Sequence, residues 1–270
     1  VEEPLGRFVA QVERPEPIKF AWPVVILGDI FTTVRHLAVL QGYLATIGWE
    51  AYAPDLRRSK GPADSFEEMV ALAGEALDAL GREAIVIGHG MGGLLALTLS
   101  ERPGVKAAVA YAPLIPGFRP PFVAGLGARI ARWRGGMLQA PAGRLGLEMA
   151  ADADPHMREA IVREMVPDSA RIALEIASGQ VRISQQARAT PRLVIAGERD
   201  RFAPADLASR LAQSIGAAYA RVEGRGHWLI GGRALERAIA ETQRFLVRQL
   251  GQDLLLLYPE EFRGGGEDDE

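Results

Sequence analysis

Short blocks of consecutive apolar residues alternate along this chain with longer stretches whose apolar residues recur every three or four positions. The first pattern suits strands buried on both faces and the second suits helices packed by one side. Their alternation predicts an α/β fold with a mostly parallel sheet flanked by helices. Residues 8–12 are expected as an edge strand, followed by a Pro-rich connector at 14–17. The blocks at 24–27, 50–54, 84–87, 105–112, 192–196 and 217–222 read as further strands. Residues 34–47, 66–80, 91–101, 204–215 and 234–250 read as helices. Ser65 with Glu68 three residues on is a capping-box signature for the second of these, and Gly81 supplies its stop.

The alternation breaks between Pro113 and about Thr190, where helical periodicity is punctuated by Pro and Gly and no buried strand is evident. Phe122, Leu126, Ile130, Trp133 and Met137 fall on one stripe, with Arg129, Arg132 and Arg134 mostly off it, and further helices are expected at 155–165 and after Ser169. The expected organisation is a core built from residues 1–114 and 189–258 with a helical lid inserted at 115–188. An insertion at that point lies over the carboxyl ends of the strands, where open α/β sheets bind ligands. Residues 254–257 form a small apolar patch expected to dock on the body. The glycine-then-acid tail, 259–270, is expected to be disordered.

Composition narrows the chemistry. The chain of 270 residues has a formal net charge of −3, so no basic field invites nucleic acid. With no cysteine there is no disulfide, thiolate metal site or cysteine nucleophile. His36, His89, His156 and His227 lack the spacing of a zinc motif, so neither a metal nor any other cofactor is expected. No apolar run approaches the roughly 18–20 residues that span a bilayer, and the charged opening residues do not suit a signal peptide. A cytoplasmic protein acting on a small molecule is the resulting expectation; oligomeric state is not readable.

The strongest local signal is Gly88-His89-Gly90-Met91-Gly92-Gly93, between a β-rich strand and an Ala/Leu-rich helix. Read as G-x-G-x-x-G, it would be a dinucleotide fingerprint. That motif needs a carboxylate near the end of the next strand and belongs to the first strand–helix turn of its domain. The strand ending Val109-Ala110-Tyr111-Ala112 offers no carboxylate, and two strand–helix units come earlier. The alternative is the G-x-S-x-G turn, with Gly90 in the serine's place.

On that alternative the flanks match the Gly-His-Ser-Met-Gly-Gly form of the α/β-hydrolase family. Gly197-Glu198-Arg199-Asp200-Arg201-Phe202-Ala203-Pro204 resembles the family's acid loop, and Gly224-Arg225-Gly226-His227-Trp228 its histidine loop. Ala53-Pro54-Asp55-Leu56-Arg57 resembles its "APDLRG" loop. The order nucleophile, acid, histidine is the family's order. The resemblance spans about residues 24–250 and implies an α/β-hydrolase fold with an inserted lid. It further implies a catalytic pair of His227 oriented by Asp200, an oxyanion hole made by the N–H groups of Met91 and Asp29, and a turn shaped by Gly88, His89 and Gly92. Gly28, His36 and Trp228 are candidate pocket residues.

Two departures set the functional question. Gly90 carries no hydroxyl, and Ser59, Ser65, Ser100 and Ser169 occur in loop, cap and helix contexts that cannot supply one. Leu27-Gly28-Asp29 stands where the family usually has His-Gly-x, and an inward Asp29 carboxylate would oppose negative charge in the oxyanion hole. Three readings stay open. One is a hydrolase-like enzyme acting on a small ester, thioester or activated carbonyl compound, with His227 as general base for a water in the room beside Gly90. Another is a silent pseudo-hydrolase that binds such a ligand, as in the N-myc-downstream-regulated proteins. The third is an esterase whose serine was changed to Gly90.

Overall fold

The computed structural model describes residues 1–57, 63, 65–123, 136–184 and 190–256. These residues form an eight-stranded sheet in the order β1-β2-β4-β3-β5-β6-β9-β10. Its strands are β1 (Glu2–Leu5), β2 (Phe8–Glu13), β3 (Val24–Leu27), β4 (Ala51–Pro54), β5 (Ala84–His89), β6 (Val105–Tyr111), β9 (Arg192–Gly197) and β10 (Ala218–Val222). From β4 to β10 all neighbours are parallel, whereas β2 runs antiparallel to β4 and β1 antiparallel to β2. Every residue of β3, β5 and β9 is buried, as continuous apolar runs require of central strands covered on both faces.

Helices α1 (Ala38–Thr46), α2 (Phe66–Leu80), α3 (Met91–Leu99), α7 (Ala205–Ser214) and α8 (Gly232–Leu250) flank this sheet. The Ser65 side chain accepts the Glu68 N–H at 3.1 Å, and Gly81 ends α2 in the left-handed region with φ 70°. The expected helix at 34–47 begins instead as a 3-10 turn, Val34–Leu37, because Thr33 N–H donates to the His36 ring at 2.9 Å and tightens that turn. Residues 8–12 are not the edge of the sheet. Glu2–Leu5 pairs outside them, a strand hidden in sequence by its two glutamates and Pro4.

Between β6 and β9 lies the inserted helical region, with α4 (Gly143–Met149), α5 (Arg158–Glu164) and α6 (Ala170–Ala177). It also holds a two-residue antiparallel pair, β7 (Met137–Leu138) with β8 (Asp168–Ser169), too short to leave a periodic signal. Helix α5 starts later than its sequence pattern suggests, since residues 155–157 form a turn first. Phe122 is buried and Met137 is exposed, while Leu126, Ile130 and Trp133 of the stripe lie outside the described residues. Of the apolar patch at 254–257, Leu254 is buried and its carbonyl accepts the Ala21 N–H, whereas Leu255 and Leu256 are exposed; Leu257 and the 259–270 tail lie outside the described residues. No described helix is long and apolar enough to cross a membrane.

The topology decides what comes together. Leu27 sits beside Gly88, His89 beside Tyr111, and Tyr111 beside Ile195. The loops that follow β3, β5, β9 and β10 therefore open at one edge of the sheet. They carry Asp29, Gly90, Asp200 and His227.

Candidate active site

Strand β5 turns into α3 at Gly90, whose φ of 55° and ψ of −116° lie where residues with a Cβ are strained. The turn is pressed against β3. A Cβ on Gly92 would lie 2.2 Å from the Leu27 carbonyl oxygen, and one on Gly88 would lie 1.9 Å from that of Gly92. A Cβ on Gly90 would lie 1.9 Å from Cγ of Asp29. The place beside Gly90 is thus filled by the carboxylate of the neighbouring loop, and the room expected there for a water is taken.

Asp29 is buried and every oxygen of its side chain is engaged. Oδ1 accepts the N–H of Met91 at 2.6 Å and that of Ile30 at 2.7 Å. Oδ2 lies 2.9 Å from Nε2 of His227. On its other side, His227 Nδ1 lies 2.8 Å from Asp200 Oδ2. Asp200 is fixed in turn by the N–H groups of Phe202 and Ala203, which donate to Oδ1 at 2.7 and 2.9 Å in an Asx-type turn just before α7. The result is a buried row, Asp200–His227–Asp29, with two converging N–H groups at its far end.

Charge follows from this geometry. Burial opposes a proton on His227, but the charges and hydrogen bonds of Asp200 and Asp29 outweigh it and push its pKa up to about 10. His227 is therefore an imidazolium at neutral pH. Burial likewise opposes the charge on Asp29, yet the hydrogen bond and charge of His227 and the Met91 N–H hold its carboxyl below the usual range. His89 behaves oppositely. Burial and the adjacent His227 charge push it down to about 4, so it is neutral. Its Nε2 lies 2.8 Å from the His227 carbonyl oxygen and must carry the hydrogen, leaving Nδ1 buried without a partner among the described residues. Donor atoms of Asp29, His89 and His227 lie within 4.8 Å of one another, close enough to be considered for a cation. The Asp29–His227 hydrogen bond accounts for the approach of those two without one.

The lid closes over this row. Phe31, Phe122 and Phe202 stack edge and face above it, with Phe202 5.3 Å from the His227 ring. Lid residue Asp168 accepts the Phe31 N–H at 3.1 Å and pairs with Arg57, while Val166 N–H donates to the Phe31 carbonyl at 2.9 Å. Phe31 itself has φ 67°. A cavity of about 280 Å³ reaches Asp29 from the side of Leu27, Leu37, Leu56, Met69 and Leu95, with Gly28 and Met91 also in its wall. His36 and Trp228 line a different cavity of about 440 Å³ between α1 and α5. His36 bridges Thr33 and the Ile161 carbonyl, so it ties the lid to the body.

The structure thus brings Gly90, Met91, Asp29, Asp200 and His227 together and sets His36 and Trp228 apart from the Asp29 cavity. The second converging N–H belongs to Ile30 rather than Asp29. Sequence reasoning missed Ile30, Phe202 and Asp168, and raised an inward Asp29 side chain only as a condition. The signal for the last was present, since a side chain is absent at residue 90 and a charged one is present at residue 29.

None of the curated proteins compared with the chain matches it. Among solved structures, the fold is similar to the monoacylglycerol lipase of Paleococcus ferrophilus, with TM-score 0.71 and 18% identity over 90% of this chain and 99% of that one. It is also similar to a monoglyceride lipase from Saccharomyces cerevisiae, with TM-score 0.68 and 13% identity over 92% of this chain and 94% of that one. A thermophilic esterase from Thermogutta terrifontis matches with TM-score 0.64 and 17% identity over 90% and 94%. The model of the alpha/beta hydrolase family matches residues 22–241, most of the chain. With the sheet, the inserted helical region and this match together, the chain belongs to the α/β-hydrolase family.

Proposed function

We propose that this chain is a hydrolase-like protein that takes a small ester, thioester or other activated carbonyl compound into its lidded pocket and acts through His227, oriented by Asp200. One observation carries the reading. Two converging N–H groups and an imidazolium hold a carboxylate beside Gly90. These donors mark where the negative charge of an acyl-transfer adduct would be held, a place that Asp29's own carboxylate occupies at rest. The apolar walls of the adjoining cavity suit a short acyl chain.

With His227 protonated at rest, its first act is to donate a proton rather than to accept one. Only after giving that proton away does it serve as the general base for water.

A second reading is favoured by the zero exposure of the Asp29 and His227 side chains. It is a silent binding protein whose oxyanion hole is permanently filled. The test is hydrolysis of p-nitrophenyl esters of increasing chain length and of a short acyl thioester by the native protein and by His227→Ala. Turnover by the native protein that falls at least about a hundredfold in the variant supports the enzyme. Absence of turnover, with saturable binding of the esters or acids, supports the silent reading.

A further inference from the structure

We propose that Asp29 is the nucleophile of this site, attacking the acyl carbon through Oδ2 to form a mixed anhydride. The inference deepens the acyl-handling reading above and rests on it. Asp29 fills the place that Gly90 leaves empty, and with Gly28 and Met91 it forms part of the wall of the apolar cavity, its side chain buried at rest. Its Oδ1 is held by Ile30 and Met91 as a carbonyl oxygen would be, and its Oδ2 meets the proton carrier His227. The loss of a side chain at one strand end and its supply from the adjacent strand end leave a nucleophile, an acid–base group and an oxyanion hole within one row.

The steps balance. Oδ2 bonds to the acyl carbon, the acyl–O or acyl–S bond breaks, and Nε2–H of His227 protonates the departing alkoxide or thiolate. Asp29, now an anhydride, has lost the charge that helped to keep His227 protonated. Neutral His227 then takes a proton from water, whose oxygen bonds to Cγ of Asp29. The charge that develops on Oδ1 lies between the N–H groups of Ile30 and Met91. The Cγ–Oδ2 bond breaks, Oδ2 leaves with the acyl group as the product carboxylate, and Asp29 returns its acid proton to solvent. An anhydride is a more reactive acyl compound than an alkyl ester. The substrate class is therefore an activated one, such as an aryl ester or thioester.

The route leaves an isotopic record. The native protein is given less than one equivalent of p-nitrophenyl butyrate, or of a butyryl thioester, in heavy-oxygen water. It is then digested with trypsin in ordinary water. The peptide from Phe20 to Arg35 contains Asp29 as its only acidic side chain. The expected result is heavy oxygen in that peptide and ordinary oxygen in the released butyrate. Heavy oxygen in the butyrate with none in the peptide overturns water attack at Cγ, and together with native-rate turnover by Asp29→Asn it overturns the inference while leaving the acyl-handling reading intact. Absence of hydrolysis overturns both. Asp29→Asn is expected to lower turnover by at least about a thousandfold, and a variant that folds and keeps the native rate also overturns the inference.

Discussion

The carboxylate of Asp29 stands where a side chain on Gly90 would begin, with Cγ 1.9 Å from the position of the missing Cβ. The two residues exclude one another, so each substitution at one is read through the other. Gly90→Ser alone is expected to fold poorly or to expel Asp29. The turn costs a non-glycine residue about 1–3 kcal/mol in strain, and overpacking against Asp29 adds about 1–3 kcal/mol more. Gly90→Ser with Asp29→Ala removes the second cost. Urea unfolding should therefore show the double variant to be more stable than the single one, and equal stabilities would mean that the two residues do not compete for this space.

The double variant also rebuilds a serine beside His227, with the N–H groups of Ile30 and Met91 freed. It is expected to react with a fluorophosphonate probe and to gain p-nitrophenyl esterase activity. The native protein is expected to remain unlabelled. Ser100 donates to the Leu97 carbonyl, Ser65 and Ser169 accept helix N–H groups, and no serine is among the residues that line the Asp29 cavity. Stoichiometric labelling of the native chain, mapped to any serine, would place the nucleophile elsewhere.

The sheet was legible because β3, β5, β6 and β9 are buried runs bounded by turn residues, and the carboxyl ends of such strands are where loops converge. Asp200 and His227 were legible because each sits in a motif with its own local mechanics, an Asx-type turn before a helix and a loop after the last strand. What was hidden depended on distances between elements. Periodicity on β3 and β5 does not say that Asp29 turns inward onto Met91. It cannot show that Asp168, far along the chain, closes on Phe31. The charge state of His227 was hidden for the same reason. One carboxylate was foreseen beside it, and the second, from Asp29, makes it an imidazolium.

The same pair of carboxylates sets a pH dependence. A histidine whose pKa is raised on folding adds stability that is fully present below its unfolded value of about 6.5. That stability is lost as pH rises toward the folded value of about 10. The melting temperature of the native protein is expected to fall across this window. In Asp29→Asn one of the two carboxylates is gone, so the fall should be shallower and should end at lower pH. Parallel profiles for the two proteins would show that Asp29 does not hold the His227 proton.

The last expectation concerns the lid. Asp168 joins it to the loop that carries Asp29, taking the Phe31 N–H through Oδ2 and pairing with Arg57, whose guanidinium also lies 3.4 Å from the Asp29 carbonyl oxygen. Val166 N–H adds a second tie to the Phe31 carbonyl. Removing Asp168 therefore does more than free an arginine. It leaves the Phe31 N–H without its acceptor at a residue whose positive φ is already costly. Asp168→Ala is expected to speed hydrogen exchange at the amides of Phe31 and Val166 by about tenfold or more, corresponding to about 1.4 kcal/mol of local stability. The exchange of central amides in β5 and β9 should change far less, because those strands open only with the whole domain. Arg57→Ala leaves the Asp168 carboxylate free to hold Phe31 and should give a smaller effect at both amides. If Asp168→Ala quickened exchange in β5 as much as at Phe31, the residue would support global stability, and the tie between lid and loop would carry no separate motion.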